Sequence, residues 1–198
     1  MNIVFLGKPG SGKGTQNKLI SEQFNMIPVI AGDILRDEKK SGSKLGRKIS
    51  SLIDKGNLVP DGVIDNLVEK YLEYCALDYI QTGFIFDGYP RTIKQGENLD
   101  EIMDMCNTKI DIILFLEVPE KTLIERILER GKTSGREDDQ DIDIIKQRMK
   151  NYDDVTKPLI NYYKNKLVII DGTKSIEDIN IDIKKVLIRM LTQKIKKR

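Results

Sequence analysis

The sequence contains no histidine and only two cysteines. The absence of histidine excludes histidine general bases and histidine metal sites, so any catalysis has to use lysine, arginine, aspartate and the backbone. The cysteines, Cys75 and Cys106, are isolated and form no C-x-x-C pair. This pattern favours two buried thiols in a reducing compartment over a disulfide.

Long apolar runs and a strong net charge are also missing. No run reaches the length of a membrane-spanning helix, and a structural strand at Asn2 leaves no room for a signal peptide, so we expect a cytoplasmic protein. The net charge of +2 is too small to argue for nucleic acid as a partner. No internal repeat or low-complexity linker divides the 198 residues, which fits a single domain.

What the chain does contain is an alternation of strand and helix patterns from end to end. The short apolar segments typical of buried strands are 2–6, 27–30, 83–87, 110–116 and 167–171. Strands that alternate with helices predict an α/β fold with a five-stranded parallel sheet. Residues 42–78 carry only helical patterns, broken at 56–61, and are too long for a plain crossover, so they predict a small helical excursion.

A glycine-rich loop follows the first strand. Residues 7–13, GKPGSGK, fit the pattern G-x-x-x-x-G-K and precede a helix predicted from Gln16 to Phe24. Glycines let the backbone curl round an anion with its N–H groups pointing inward, and the helix N-terminus adds partial positive charge. We expect Lys13 to hold the β- and γ-phosphates of a nucleotide. Because Gly14 follows the lysine and Thr15 comes one position later, the hydroxyl that usually ligates Mg²⁺ is displaced, and the metal is expected to be held less directly.

Polar residues also follow the second and third predicted strands. Asp87 ends the third strand, where a carboxylate at the ligand edge of a parallel sheet can hold a Mg²⁺-bound water. Arg91 is suited to bidentate phosphate binding, and the amide of Gln95, one helical turn later, can present a donor and an acceptor to a base edge. Asp33 is predicted to cap a helix that carries Arg36 on its first turn.

A basic loop with two glycines, 130–139, follows a helix predicted to start at Pro119. Glycines and small residues in this loop indicate mobility. Guanidinium groups near the loop would be costly to bring together without an anion between them. The arginines concerned are Arg126, Arg130, Arg136 and Arg148.

Taken together, these segments resemble the nucleoside monophosphate kinases and, over essentially the whole chain, the adenylate kinase family. The matching stretches are GKPGSGKGTQ, AGDILR, GNLVP, DGYPR with the following Gln95, and RGKTSGREDD. The resemblance implies a P-loop three-layer sandwich that transfers the terminal phosphoryl group of MgATP directly to AMP, with no covalent enzyme intermediate. It also implies a core of residues 1–29, 60–129 and 140–198, an AMP-binding subdomain at 30–59 and a short lid at 130–139.

The same resemblance assigns roles to individual residues. Donor-nucleotide binding is assigned to Gly10, Ser11, Gly12, Lys13, Gly14, Thr15, Arg130 and Lys174. Acceptor binding is assigned to Ala31, Arg36, Asn57, Leu58, Val59, Gly88, Tyr89, Pro90, Arg91, Gln95, Arg136 and Arg148, with Gln95 reading the adenine. Catalysis is assigned to Lys13, Asp87, Arg91, Arg126, Arg130, Arg136 and Arg148. The implied cofactors are ATP and Mg²⁺, and the implied protein is a monomer without structural zinc, because the lid lacks the four cysteines of the long-lid relatives.

Two alternatives stay open. Adenylate kinases usually carry threonine where this chain has Ala31, and the similar UMP/CMP kinases carry alanine there, but those enzymes have asparagine in place of Gln95. We give Gln95 more weight and expect AMP as the acceptor. The other alternative is a P-loop ATPase or regulator without a nucleotide acceptor, which the acceptor-side arginines argue against. The basic tail at 194–198 is interpreted as a solvated end.

Overall fold

The structure is a computed structural model that describes residues 1–79, 83–134 and 137–196, with the side chains of 76–79, 137, 194 and 195 left out. The strands are β1 (Asn2–Leu6), β2 (Ile27–Ile30), β3 (Phe84–Asp87), β4 (Ile110–Glu117) and β5 (Leu167–Asp171). Within the described residues they form one parallel sheet in the order β2-β3-β1-β4-β5. The predicted fold class is confirmed, and each predicted strand matches an observed one to within one residue.

Helices cover both faces of this sheet. In chain order, the α-helices are α1 (Lys13–Phe24), α2 (Ala31–Lys40), α3 (Lys44–Ile53), α4 (Asp61–Tyr79), α5 (Ile93–Met105), α6 (Glu120–Thr133), α7 (Ile142–Asn151), α8 (Leu159–Tyr162) and α9 (Ile176–Lys196). A 3₁₀ turn at Glu137–Asp139 precedes α7, and a π-helical turn at Tyr152–Thr156 follows it. Among the described residues, no helix has both the length and the apolar character needed to cross a membrane.

The hydrophobic core has two halves, one on each face of the sheet. Ile3 and Phe5 of β1 face the half formed with α1 and α9, whereas Val4 and Leu6 face the half formed with α2 to α5. Successive side chains of a strand point to opposite faces, so a strand buried on both sides has to be apolar throughout. This explains why β1 is the continuous apolar run that the sequence shows, and the glycine loop follows this central strand at its carboxyl end.

Two local expectations are wrong. Asp33 is not a helix cap, because β2 runs directly into α2 and the helix begins at Ala31; Asp33 therefore lies inside the first turn. Cys75 is buried as expected, but Cys106 is exposed. Cys106 comes immediately after the last residue of α5, and the chain turns there on Asn107 in the left-handed region (φ 53°), which leaves the thiol at the surface.

The carboxyl ends of the strands share one edge of the sheet, and this edge gathers the functional side chains. Phe5, one residue before the end of β1, is in register with Asp87 at the end of β3. Ile30 at the end of β2 is in register with the same aspartate. The glycine loop, the start of α2 and the segment after β3 therefore begin side by side.

Candidate active site

The glycine loop connects β1 to α1 in the geometry that phosphate binding requires. Gly12, directly before α1, has a φ of 97°, a left-handed conformation that favours glycine. Gly10 also has a positive φ of 82°, and a Cβ at this position would lie 2.8 Å from both the Leu123 carbonyl oxygen and Ile127 Cγ1 of α6. The loop is therefore packed closely against α6, and a larger residue at position 10 would force it away from the sheet edge.

Lys13, the first residue of α1, folds back over the loop. Its Nζ donates hydrogen bonds to the carbonyl oxygens of Gly7 at 2.7 Å and Lys8 at 3.0 Å. The pKa of Lys13 is lowered to about 8, mainly by burial and also by the nearby guanidinium groups of Arg91, Arg130 and Arg148, while Asp87 opposes the fall. An ammonium group in this environment gains strongly from a polyphosphate, because the ligand would supply the negative charge that the loop lacks.

Asp87 lies beside the same loop. A Cβ placed on Gly14 would be 3.6 Å from Asp87 Oδ2, so the carboxylate faces the start of α1. Burial raises the pKa of Asp87, whereas Lys13 and Arg91 counteract the rise. Within the described residues, no group of three or more His, Cys, Asp or Glu side chains is arranged to hold a metal. A single carboxylate is the donor set expected for Mg²⁺ that keeps several waters and binds mainly through nucleotide phosphates.

Arg91 and Gln95 lie on the segment that follows β3. The Arg91 Nε donates to the Gly88 carbonyl oxygen at 2.9 Å, which fixes the direction of the guanidinium group. Burial and the neighbouring Arg148 and Arg36 lower the pKa of Arg91, although Asp87 opposes them. Gln95 is only 3% exposed, and its amide is hydrogen-bonded inside the protein, to the Arg91 N–H and to Asp61.

The arginines of the lid region gather on one aspartate. Arg130 donates two hydrogen bonds to Asp139, from Nε at 2.7 Å and from Nη2 at 2.9 Å. Arg148 donates to the same carboxylate at 2.7 Å and to Asp138 Oδ2 at 2.8 Å. Asp139 is fully buried. Burial alone would raise the pKa of Asp139, but the hydrogen bonds from Arg130 and Arg148 outweigh burial and hold the pKa below its ordinary value.

One of the predicted lid arginines, Arg126, does not join this cluster. Arg126 instead donates to the Gly172 carbonyl oxygen at 2.9 Å, on the turn after β5. Arg136 lies outside the described residues. Of the four guanidinium groups expected to converge, those of Arg130 and Arg148 do so within the described part of the chain.

The acceptor-side residues are divided between the site and the core. Arg36 forms an ion pair with Asp33 and lies close enough to Arg91 to lower its pKa. Ala31 is 1% exposed, at the start of α2. Along the segment before α4, Asn57 is exposed, Leu58 is half-buried and Val59 is buried in the core.

Tyr89 and Lys174 do not face the cluster of charges. Tyr89 is fully buried, and its hydroxyl donates to Asp65 on α4 at 2.7 Å. Lys174 is at the surface and forms an ion pair with Asp182 on α9 at 2.7 Å. Tyr89 thus supports the segment after β3 from behind, and Lys174 lies on the same side of the fold as the Gly172 turn.

Sequence reasoning missed three acidic residues in the site region. Asp139 was visible only as the last letter of RGKTSGREDD, although an acid inside a basic loop signals an internal ion pair. Asp61 directly follows Pro60 at the break between two helical patterns, where an acid indicates a helix cap rather than a site residue. Asp153 forms an ion pair with Lys8 of the glycine loop at 2.7 Å, and nothing in the local sequence indicates this partner.

The fold and the site define a phosphate-loop enzyme that acts on nucleotides. Its parts are a glycine loop at the central strand, a lysine over that loop, an acid on the neighbouring strand and facing arginines. The comparisons narrow this class. The adenylate kinase family model matches residues 5–168. Among curated relatives, the adenylate kinase of Flavobacterium psychrophilum is 39% identical, covering 94% of this chain and 98% of its own length.

Two further curated relatives give the same result. The adenylate kinase of Porphyromonas gingivalis strain W83 is 40% identical, over 92% of this chain and 93% of its own length. The adenylate kinase of Archaeoglobus fulgidus is 36% identical, over 94% of this chain and 98% of its own length. The chain belongs to the adenylate kinase family. The predicted enzyme class, a nucleotide phosphotransferase, and the predicted reaction, phosphoryl transfer between ATP and AMP, are confirmed by this membership.

Proposed function

We propose that the residues at the carboxyl edge of the sheet carry out this reaction, MgATP + AMP ⇌ 2 ADP, by direct in-line transfer. The observation that carries the proposal is the gathering of charged side chains at this edge: Lys13 lies over the loop, Asp87 faces the start of α1, and Arg130 and Arg148 meet on Asp139. Asp87, Arg91, Arg130 and Arg148 are all close enough to Lys13 to shift its pKa. Phosphoryl transfer depends on positioning and on neutralising charge, so a chain without histidine can perform it.

The donor ATP occupies the glycine loop. Backbone N–H groups of residues 10–15 surround its phosphates, and Lys13 exchanges its carbonyl partners for phosphate oxygens. When bound, Mg²⁺ supplies charge neutralisation on the phosphates, and Asp87 would hold it through water. The hydrogen bond from Arg126 to the Gly172 carbonyl supports the proposal that the turn after β5, with Lys174, lies beside the donor base.

The acceptor AMP occupies the space between α2 and the segment after β3. Arg36 and Arg91 bind its phosphate, and Ala31, the 57–59 segment, Gly88 and Gln95 surround its nucleoside. We assign residues 30–59 to an AMP-binding subdomain and 130–139 to a lid that carries Arg130 and Arg136. Closure of both parts over the two nucleotides excludes water, which would otherwise hydrolyse ATP.

A second candidate acceptor is a pyrimidine nucleotide, UMP or CMP. The observation that favours it is Ala31, which offers only a methyl group and its backbone to the acceptor. Gln95 favours AMP, because a bidentate amide in a buried site leaves the wrong base with unpaired polar groups. We therefore propose AMP as the preferred acceptor, with a softer preference than in relatives that carry threonine.

An acceptor panel tests this proposal. ADP formation from MgATP is measured with no acceptor and with AMP, CMP, UMP or dCMP. We expect rapid turnover with AMP and slow turnover without an acceptor. Higher kcat/KM with CMP or UMP than with AMP would establish the pyrimidine alternative, and equal ADP formation without any acceptor would show an ATPase. We also propose that the protein is a cytoplasmic monomer whose partners are small-molecule substrates only. Light scattering tests the monomer, and cell fractionation tests the location.

A further inference from the structure

Asp61, the first residue of α4, connects two segments that meet the acceptor. Its Oδ1 accepts a hydrogen bond from Gln95 Nε2 at 2.6 Å, and its Oδ2 accepts one from Thr92 Oγ1 at 2.9 Å. Gln95 Oε1 accepts in turn from the Arg91 N–H at 2.7 Å. The carboxylate therefore reaches across from the end of the 57–60 segment to the segment that follows β3.

These partners allow only one orientation of the Gln95 amide. The Arg91 N–H can only donate, and an ionised carboxylate can only accept. If the amide were turned over, Gln95 Oε1 would face the carboxylate of Asp61, and Nε2 would face the N–H of Arg91. Both hydrogen bonds would be lost and replaced by repulsive contacts, so the orientation follows from the network itself.

The hydrogen-bonding groups of the Gln95 amide that remain for a ligand have a fixed order. Within the described part of the chain, the hydrogen bonds of the Gln95 amide leave one N–H of Nε2 and one lone pair of Oε1. A 6-aminopurine presents an amino donor next to a ring-nitrogen acceptor. A 6-oxopurine presents a carbonyl acceptor next to an N–H donor, which is the reverse order. An amide that cannot turn over complements one of them and opposes the other.

We propose that Asp61 is a positioning residue that fixes the direction of the Gln95 amide and thereby makes the acceptor site select 6-aminopurines against 6-oxopurines. This inference rests on the proposed function, because it takes Gln95 as the residue that meets the acceptor base. Asp61 itself contacts no reacting atom. It acts through Gln95, and through Thr92, whose hydroxyl accepts from the Gln95 backbone N–H at 3.0 Å at the start of α5.

Asp61→Asn tests the proposal with the least change of shape. An asparagine can donate or accept, so residue 61 no longer opposes the turned-over amide, and only the Arg91 N–H still favours the original orientation. We expect the ratio of kcat/KM for AMP to that for GMP to fall about tenfold, as for loss of one charge-assisted hydrogen bond. The KM for ATP should stay unchanged. Glu73→Gln, which likewise removes one negative charge but at an exposed position of the same helix, should leave both quantities unchanged.

A double-mutant cycle separates positioning from general damage. In a Gln95→Leu background, Asp61→Asn should change the AMP-to-GMP ratio no further, because the amide on which it acts is absent. Asp61→Ser serves as a second variant if the asparagine variant folds poorly, with the same expected fall in the ratio. An unchanged ratio in Asp61→Asn, or a further fall in the Gln95→Leu background, would overturn the inference. Failure of the unmodified enzyme to prefer AMP over CMP and UMP would instead overturn the proposed function.

Discussion

The glycine loop and the side chains that face it are built in different ways. In the loop, Lys13 is bonded to backbone carbonyl oxygens, and within the described residues no carboxylate forms an ion pair with it. Most of the facing side chains have an acidic partner, whereas Arg91 bonds the Gly88 carbonyl oxygen. Arg36 is paired with Asp33, Arg130 and Arg148 with Asp139, and Gln95 with Asp61.

This difference separates a preformed site from an adjustable one. The loop keeps its shape through backbone geometry and packing on α6, so its N–H groups need no rearrangement to receive phosphates. Arg36, Arg130 and Arg148 already have their charge compensated, and a bound phosphate has to compete with Asp33 and Asp139 for them. Interactions formed in the loop should therefore support binding and catalysis alike, whereas those of the facing arginines should be strongest once both nucleotides are present.

The largest expected effect is at Lys13. Lys13→Ala should lower kcat about a thousandfold, by analogy with the loss of one preorganised electrostatic stabiliser. Lys18→Ala, at an exposed position of the same helix, serves as the control and should leave kcat within twofold. A kcat for Lys13→Ala within threefold of the parent would show that the loop, and not its lysine, supplies the stabilisation.

Arg148 tests the facing side of the comparison. Arg148→Ala should lower kcat about a hundredfold and raise the KM for AMP and ATP much less, because its contact with the nucleotides forms late. Arg136→Ala is expected to behave in the same way. Lys146→Ala, on the exposed side of α7, is the matched control. A change confined to the KM for AMP would mean that Arg148 is an ordinary ligand of the ground state.

Asp139 tests how strongly the facing arginines depend on their internal partner. Asp139→Asn should lower the free energy of unfolding at pH 7 by about 2 kcal/mol, because it removes charge-assisted hydrogen bonds to two guanidinium groups. The pKa of Asp139 is lowered in the folded state, so its contribution is complete above the ordinary value of 3.8 and is lost as the pH falls through the folded pKa.

Urea denaturation of the parent and of Asp139→Asn between pH 7 and pH 3 measures this contribution. The difference in unfolding free energy should be largest near neutral pH and should shrink toward pH 3. A difference that stays constant down to pH 3 would indicate that the variant disturbs packing rather than an ion pair.

The lowered pKa of Lys13 also predicts how kcat/KM depends on pH. Burial lowers the pKa of Lys13 to about 8, so the free enzyme loses this cation as the pH rises above that value. The kcat/KM for ATP at saturating AMP should therefore fall about tenfold for each pH unit above this pKa. The kcat should stay level over the same range, because bound phosphates stabilise the protonated lysine. A level kcat/KM up to pH 10 would contradict the assignment.

Features that depend on neighbouring residues in the chain could be predicted from the sequence, whereas features that depend on tertiary packing could not. The strands and the glycine loop were predictable because burial on both faces leaves an unbroken apolar run, and because positive φ angles favour glycine at Gly10 and Gly12. The start of α2 was missed because the helix follows β2 without any intervening turn, so that no cap residue is required at Asp33.

The partners of the predicted site residues were beyond reach for another reason. Asp61 and Gln95 are 34 positions apart, and their hydrogen bond depends on how α4 packs beside α5. Arg126 shares a helix face with Arg130, yet one side chain bonds the Gly172 carbonyl and the other bonds Asp139. Helical spacing places two side chains on one face but does not determine which tertiary neighbour each of them meets.

The smallest expected effect concerns Ala31, the facing residue that has no polar group to exchange. Ala31 is buried at the start of α2, and a Cβ on Gly88 would lie 3.7 Å from the Ala31 Cβ, so the absence of a side chain at Gly88 leaves room beside the methyl group. Ala31→Thr places a hydroxyl in that room. One added neutral hydrogen bond is worth about 0.5–1.5 kcal/mol, so the preference for AMP over CMP should rise by about three- to tenfold.

Ala31→Val has the same shape without the hydroxyl and is the matched control. Acceptor competition assays with AMP and CMP measure the preference in both variants. If valine raises it as much as threonine does, the gain comes from filled volume, and residue 31 does not read the acceptor through a hydrogen bond.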